Sequence, residues 1–80
     1  MEIKVVGPGC AKCQKVEETV NEVAKEQGID VNITKVTDFN EIIQTGITNT
    51  PGLIVNDEVK VTGKVPSKDE VSKILTAENN

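Results

Sequence analysis

The chain of 80 residues contains no histidine, tryptophan or tyrosine, a single phenylalanine and only two cysteines. Without histidine, the protein cannot form a Ser-His-Asp triad, a Cys-His protease pair or a zinc site of two cysteines and two histidines. Two cysteines also cannot complete a four-cysteine metal site within one chain. A chain of this length forms one domain, so the chemistry must rest on a small set of side chains.

Positive charge and long apolar runs are also scarce. Nine basic residues against 13 acidic ones give a formal net charge of -4, and no basic patch offsets this excess. We therefore predict no nucleic-acid partner. The longest aliphatic run, Leu53-Ile54-Val55, is far below the roughly 20 residues that span a bilayer, and the first residues lack the apolar region of a signal peptide. We expect no membrane partner and a cytoplasmic location.

The two cysteines, Cys10 and Cys13, form a C-x-x-C motif where a predicted strand passes into a helix. The unpaired N–H groups of a helical first turn favour a thiolate there, and Lys12 adds a positive charge. We therefore predict that Cys10 has a pKa below the roughly 8.5 of a free cysteine and acts as the nucleophile. Cys13 begins the apolar face of the helix, so we expect it to be the buried cysteine that resolves a mixed disulfide.

The apolar pattern predicts the element order β-α-β-α-β-β-α. Short β-branched segments predict strands over residues 3–6, 31–36, 53–55 and 58–61. Apolar residues at spacings of three and four predict three helices, and Asp38 and Ser67 begin capping boxes for the second and third. A helical crossover predicts that the first two strands are parallel. In the short second helix, Phe39, Ile42 and Ile43 are interpreted as core residues.

The cysteine pair has other interpretations. Heavy-metal-associated domains also place C-x-x-C after a first strand, and two thiolates bind Cu(I) or zinc, so a soft-metal carrier is the alternative function. Those domains run β-α-β-β-α-β, whereas here a helix separates the second and third strands. An adaptor that binds extended peptides without using its cysteines is a third class. A lone C-x-x-C in a reducing compartment is more often catalytic or metal-binding than structural. Between these two, thiol–disulfide exchange is favoured because the element order differs from that of the metal-binding domains.

A C-x-x-C at the first helix, with Thr50-Pro51 opening a later hairpin strand, resembles the thioredoxin/glutaredoxin superfamily over nearly the whole chain. The segments 6–13 and 50–53, with Gly63 before the last helix, are similar to the small archaeal and bacterial redox-active disulfide proteins. The resemblance implies a minimal thioredoxin-like α/β domain over residues 1–77, followed by a disordered polar tail over 78–80. Its four-stranded mixed sheet has the expected order 2-1-3-4 and carries three helices.

The resemblance also implies the site. Pro51 is expected to be cis and to pack beside the cysteines, so that the backbone of Thr50 pairs with an extended substrate segment. Gly9, Lys12 and Gly63 are predicted as further substrate-binding residues. The implied activity is that of a monomeric protein-disulfide oxidoreductase, without cofactor, whose partners are disulfide-containing proteins and an upstream dithiol or flavin reductase.

The chain departs from the family pattern at three places. Ala11-Lys12 stands between the cysteines instead of the Gly-Pro of ordinary thioredoxins or the Pro-Tyr of glutaredoxins. The segment 62–66 has one glycine and a lysine instead of the Gly-Gly and acidic pair that helps glutaredoxins bind glutathione. Ordinary thioredoxins also place a buried aspartate beneath the disulfide, but no acid occurs between Ile3 and Val6. The group that accepts the Cys13 proton therefore has no candidate from the sequence.

Overall fold

A computed structural model of the protein describes residues 1–9 and 11–78. The elements are β1 (Glu2–Val6), α1 (Ala11–Gln27), β2 (Asn32–Val36), α2 (Phe39–Gln44), β3 (Gly52–Val55), β4 (Glu58–Thr62) and α3 (Lys68–Glu78). The strands form one sheet in the order β2-β1-β3-β4. β1 is parallel to β2 and antiparallel to β3, and β3 pairs with β4 as a hairpin. The predicted fold and strand order are confirmed.

Local signals in the sequence set the element ends. The Asp38 carboxylate accepts hydrogen bonds from the N–H groups of Asn40 and Glu41 at 2.8 and 3.3 Å, which caps α2. Gly28, at φ +67°, ends α1 in the left-handed conformation that glycine adopts most readily. Asn56 and Asp57 both have positive φ, as a two-residue hairpin turn requires.

The sheet separates two apolar cores. Alternate residues of β1 point to opposite faces, so Ile3 and Val5 pack with α1 and α3, whereas Val6 packs on the α2 side. The core on the α1 and α3 side also contains Leu53, Val55, Val71 and Leu75, which are almost completely buried. The smaller core joins Val36, Ile42, Ile47 and Ile54 to Val6. In the described ranges, no helix is both long and apolar enough to cross a membrane.

Two details differ from the sequence predictions. The assignment of Phe39 and Ile43 to the core is wrong, because their exposed fractions are 74% and 58%, whereas Ile42 is buried. A helix of six residues presents about one turn to the sheet, so only part of its apolar set is covered. Glu78 belongs to α3 and its carboxylate lies 3.7 Å from the Lys60 ammonium. The rest of the predicted tail, residues 79–80, lies outside the described residues.

Candidate active site

The loop between β1 and α1 brings the cysteine motif to one end of the sheet. The Gly7 N–H donates to the Val36 carbonyl oxygen at 2.9 Å, so pairing with β2 continues past the end of β1. Gly9 follows at φ +87°, a conformation that favours glycine. Cys10 lies outside the described residues, and α1 begins at the next residue, Ala11.

Cys13 is held on the buried side of the first turn of α1. Its exposed fraction is 4%, and it begins the row of buried positions that continues at Val16 and Val20. The Cys13 side chain packs against the backbone of Gly7, where an added Cβ would overlap the sulfur and lie 3.4 Å from the Cys13 Cβ. Gly7 does not have a positive φ, so a small residue is needed there for space and not for backbone conformation.

The loop before β3 also lies close to Gly7. The Thr50–Pro51 peptide bond is cis, which is the isomer that the resemblance implies, and Pro51 is buried. Thr50 is exposed, and its Cβ lies 3.7 Å from the place that a Gly7 Cβ would occupy. In the described residues the β3 ladder begins at Gly52, so the N–H and C=O of Thr50 lie outside the sheet.

Gly63 is hydrogen-bonded to this loop. Its N–H donates to the carbonyl oxygens of Asn49 and Pro51 at 3.1 and 2.9 Å, and its φ is +76°. A Cβ on Gly63 would lie 3.2 Å from the Asn49 Cβ, closer than an ordinary contact. Gly63 therefore lies beside the Thr50–Pro51 loop and holds it through backbone hydrogen bonds.

Two cavities open beside this end of the sheet. The first, here called the apolar groove, has a volume of about 400 Å³ on the α2 side; its lining includes Pro8, Phe39, Ile42, Ile43, Ile47 and Thr50. The second, here called the thiol cavity, has a volume of about 170 Å³ on the α1 side; its lining includes Gly9, Cys13, Gln14, Glu17, Lys35 and Thr37. An apolar surface thus lies beside Thr50. The thiol cavity is also mostly apolar, but Gln14, Glu17 and Lys35 are in its lining, and it reaches the buried Cys13.

The described charged residues near the motif include Lys12 and Lys64. The described first turn of α1 contains no acidic residue, and Lys12 on that turn is exposed.

The ammonium of Lys64, which follows Gly63, lies 2.9 Å from the Glu70 carboxylate. The Lys64 hydrogen bond is the main cause that lowers the pKa of Glu70, and backbone hydrogen bonding at Ser67 adds to it. Lys64 is therefore ion-paired with Glu70 in the first turn of α3.

Residues 1–76 match the thioredoxin domain family. The thioredoxin of Methanothermobacter thermautotrophicus is 43% identical over 76 residues, which cover 95% of this chain and 99% of the relative. The thioredoxin of Methanocaldococcus jannaschii is 41% identical over 73 residues, which cover 91% of this chain and 84% of the relative. The chain belongs to the thioredoxin family. Its predicted resemblance to thioredoxins is confirmed.

Membership of the thioredoxin family makes the chain a thioredoxin-like protein-disulfide oxidoreductase. The comparisons give no support to the soft-metal carrier.

The sequence reasoning missed four residues of this thioredoxin site. Gly7 is needed for close approach to Cys13, and Phe39 borders the apolar groove. Glu17 and Lys35 form an ion pair in the lining of the thiol cavity. Glu17 had a detectable signal, because residues four apart in a helix share a face and Glu17 follows Cys13 by four. Lys35 could be found only from the strand register.

Proposed function

We propose that the chain reduces disulfides of protein substrates by dithiol exchange through Cys10 and Cys13. The observation that carries the proposal is the placement of Cys13, which is buried against Gly7 on the first turn of α1. Thr50 also lies beside Gly7, with backbone groups outside the sheet. A nucleophile one turn before Cys13 and a strand-like substrate beside Thr50 would meet at this point.

The two cysteines have different roles in the proposed reaction. The Cys10 thiolate attacks one sulfur of the substrate disulfide and forms a mixed disulfide, while the other substrate sulfur leaves as a thiol. Cys13 then attacks Cys10, forms the Cys10–Cys13 disulfide and releases the second substrate thiol. The position of Cys10 directly before α1 supports the first role, since helix N-termini stabilise thiolates. Burial supports the second, because it shields Cys13 from outside disulfides.

The substrate segment is proposed to extend along Thr50. The backbone of an extended substrate segment would pair with the N–H and C=O of Thr50. This mode of binding recognises the substrate backbone more than its side chains. Phe39 and Ile43 border the adjacent apolar groove and are largely exposed. Substrates with apolar residues next to the cysteine would therefore bury part of these two side chains. Gly9 and Lys12 are proposed to border the same segment from the helix side.

The oxidised pair must be reduced again after each turnover. We propose that an upstream dithiol protein or a flavin reductase supplies the electrons, and that the chain acts as a monomer. A cytoplasmic location fits this role, because a reducing compartment keeps the pair in its dithiol form.

The test is a trapping experiment with Cys13→Ser. Without the resolving sulfur, the Cys10 mixed disulfide should persist, and mass spectrometry of adducts from a lysate should identify proteins attached at Cys10. Cys10→Ser is the matched control and should capture none. Wild-type protein should reduce a standard protein disulfide when excess dithiothreitol is supplied. Absence of both adducts and reduction refutes the proposal, and stoichiometric copper or zinc after reducing purification would favour the metal carrier.

A further inference from the structure

The resolving step of the proposed reaction needs a group that accepts a proton. Cys13 is 4% exposed, and burial in apolar surroundings disfavours the thiolate of any cysteine. The thiolate is the form that attacks, so the Cys13 proton must leave as the sulfur approaches Cys10. The chain has no histidine, and the β1 residues beside Cys13 in the thiol cavity wall include Val5, which has no titratable group.

The lining of the thiol cavity includes a carboxylic acid residue, Glu17, one helical turn after Cys13. Cys13 and Glu17 both line this cavity, and residues four apart on a helix have Cβ atoms about 5–6 Å apart. The cavity volume of about 170 Å³ exceeds the roughly 30 Å³ that a water molecule occupies in the liquid. Most of the lining surface is apolar, but the side chains of Gln14 and Thr37 in it offer hydrogen-bond partners for such water.

Lys35 forms an ion pair with that carboxylate. Its ammonium lies 3.2 Å from the Glu17 carboxylate, whose side chain is 26% exposed. Lys35 pairs with Val5 in the parallel register, which turns its side chain to the α1 face of the sheet. The Lys35 side chain is 57% exposed, so the ion pair contributes little to stability. Its effect is to fix where the Glu17 carboxylate stands.

We propose that Glu17 accepts the Cys13 proton in the resolving step, through water in the thiol cavity. This inference rests on the proposed dithiol exchange. The Cys13 proton passes to the Glu17 carboxylate, and the Cys13 sulfur bonds to the Cys10 sulfur. The bond between Cys10 and the substrate breaks, its electron pair leaves with the substrate sulfur, and that thiolate takes a proton from Glu17 or solvent. Glu17 is ionised again, and two electrons have moved from the dithiol to the substrate.

Few titratable groups compete for this role. The described charged or titratable residues that line the cavity are Cys13 and Glu17 from α1 and Lys35 from β2. The β1 residue and the loop glycines in the lining carry none. Cys10, three residues before Cys13, is the remaining thiol and lies outside the described residues. Glu17 is therefore the carboxylate of the described lining, and Lys35 is its positioning residue.

Stopped-flow reaction of the reduced protein with dithiobis(nitrobenzoate) separates the two thiols. Attack by Cys10 releases one nitrothiobenzoate in a bimolecular phase, and attack by Cys13 on the mixed disulfide releases the second in a unimolecular phase. General-base assistance typically contributes 10²–10⁴-fold. Glu17→Gln should therefore slow the unimolecular phase at least about tenfold near neutral pH, with the bimolecular phase within about twofold of wild type. Glu18→Gln, an exposed neighbour, is the matched control and should change neither phase.

The pH profile separates proton transfer from a structural effect. Transfer from a thiol to an ionised carboxylate is independent of pH while both hold those forms, so the wild-type unimolecular rate should be nearly flat around neutrality. In Glu17→Gln it should rise about tenfold per pH unit, because the thiolate must form first. Glu17→Asp should keep the flat profile at a reduced rate, and Lys35→Gln should slow the phase less than Glu17→Gln.

The outcomes that overturn the inference are distinct from those that overturn the function. Equal unimolecular rates and equal slopes in Glu17→Gln, Glu18→Gln and wild type refute the role of Glu17 and leave dithiol exchange intact. A wild-type protein without a unimolecular release refutes both. Normal release in both phases, together with failure to reduce any protein disulfide, refutes only the proposed substrate class. The role of Glu17 is then still tested by comparing Glu17→Gln with wild type in the reaction with dithiobis(nitrobenzoate).

Discussion

Replacing Gly7 by alanine tests the packing that places Cys13. An added Cβ would overlap the Cys13 sulfur and lie 3.4 Å from the Cys13 Cβ. Cys13 is 4% exposed, so its sulfur has little room to turn away. Overpacking of a core typically costs about 1–3 kcal/mol. For a domain of this size each kcal/mol lowers Tm by roughly 4–8 °C. We therefore expect Gly7→Ala to lower Tm by at least about 4 °C in excess dithiothreitol.

A double-mutant cycle identifies the sulfur as the cause. Cys13→Ala removes the atom that the new methyl group meets, so the double variant should be more stable than additivity predicts by about 1 kcal/mol or more. Gly28→Ala is the matched control, because its φ is +67° and an added Cβ there meets nothing within 4 Å. Its cost of about 1–2 kcal/mol comes from backbone conformation and should add to that of Cys13→Ala. A coupling below about 0.5 kcal/mol between Gly7→Ala and Cys13→Ala would refute the packing argument.

Two further predictions concern the groove and the protein surface. Phe39→Ser should lower kcat/KM for a protein disulfide by roughly fivefold, since partial burial of Phe39 by substrate is worth about 1 kcal/mol. Val59→Ser, also at an exposed apolar residue but outside the apolar groove lining, should not, and equal losses would exclude a groove effect. The pKa of Glu70 is lowered from its ordinary 4.5 in the folded state, so its contribution to stability is present above about pH 4.5 and is lost as pH falls through the folded pKa. In urea titrations at several pH values, the advantage of wild type over Glu70→Gln should shrink on acidification, and an advantage that grows instead would contradict this assignment.

The fold followed from the sequence because each local signal agreed with the global pattern. Asp38 before an apolar pair, Gly28 after a helix and Asn56-Asp57 between two β-branched segments each fix an element end, and the structure shows all three. The crossover between β1 and β2 then dictated a parallel pair. These features depend on neighbours in the chain, so they are readable without the tertiary structure.

The parts that could not be predicted depend on contacts between distant residues. Phe39 and Ile43 have the spacing of core residues, but their exposure depends on how much of α2 the sheet covers. Both border a groove that Pro8 and Thr50 also line. Similarly, the sequence does not distinguish Lys35 from other exposed lysines in strands. Only its pairing with Val5 shows that its side chain lies on the α1 face, where it meets Glu17. Gly7 gave no sign of its close contact, since its φ is not unusual and the neighbour is the Cys13 side chain.

In the proposed reaction, substrate binding and proton transfer take place on opposite faces of the sheet at the end of β1. The apolar groove on the α2 side faces the substrate beside Thr50, whereas the thiol cavity on the α1 side faces Cys13 and Glu17. Substitutions in the groove should therefore act on encounter with a protein disulfide, and substitutions in the cavity on the unimolecular step with any disulfide. Because Phe39 and Glu17 lie on opposite faces of the sheet, a double variant should combine the encounter rate of one with the resolving rate of the other. The chain has no histidine to accept a proton. In the proposed reaction the acceptor is the Glu17 carboxylate, which lies outside the groove proposed to bind the substrate.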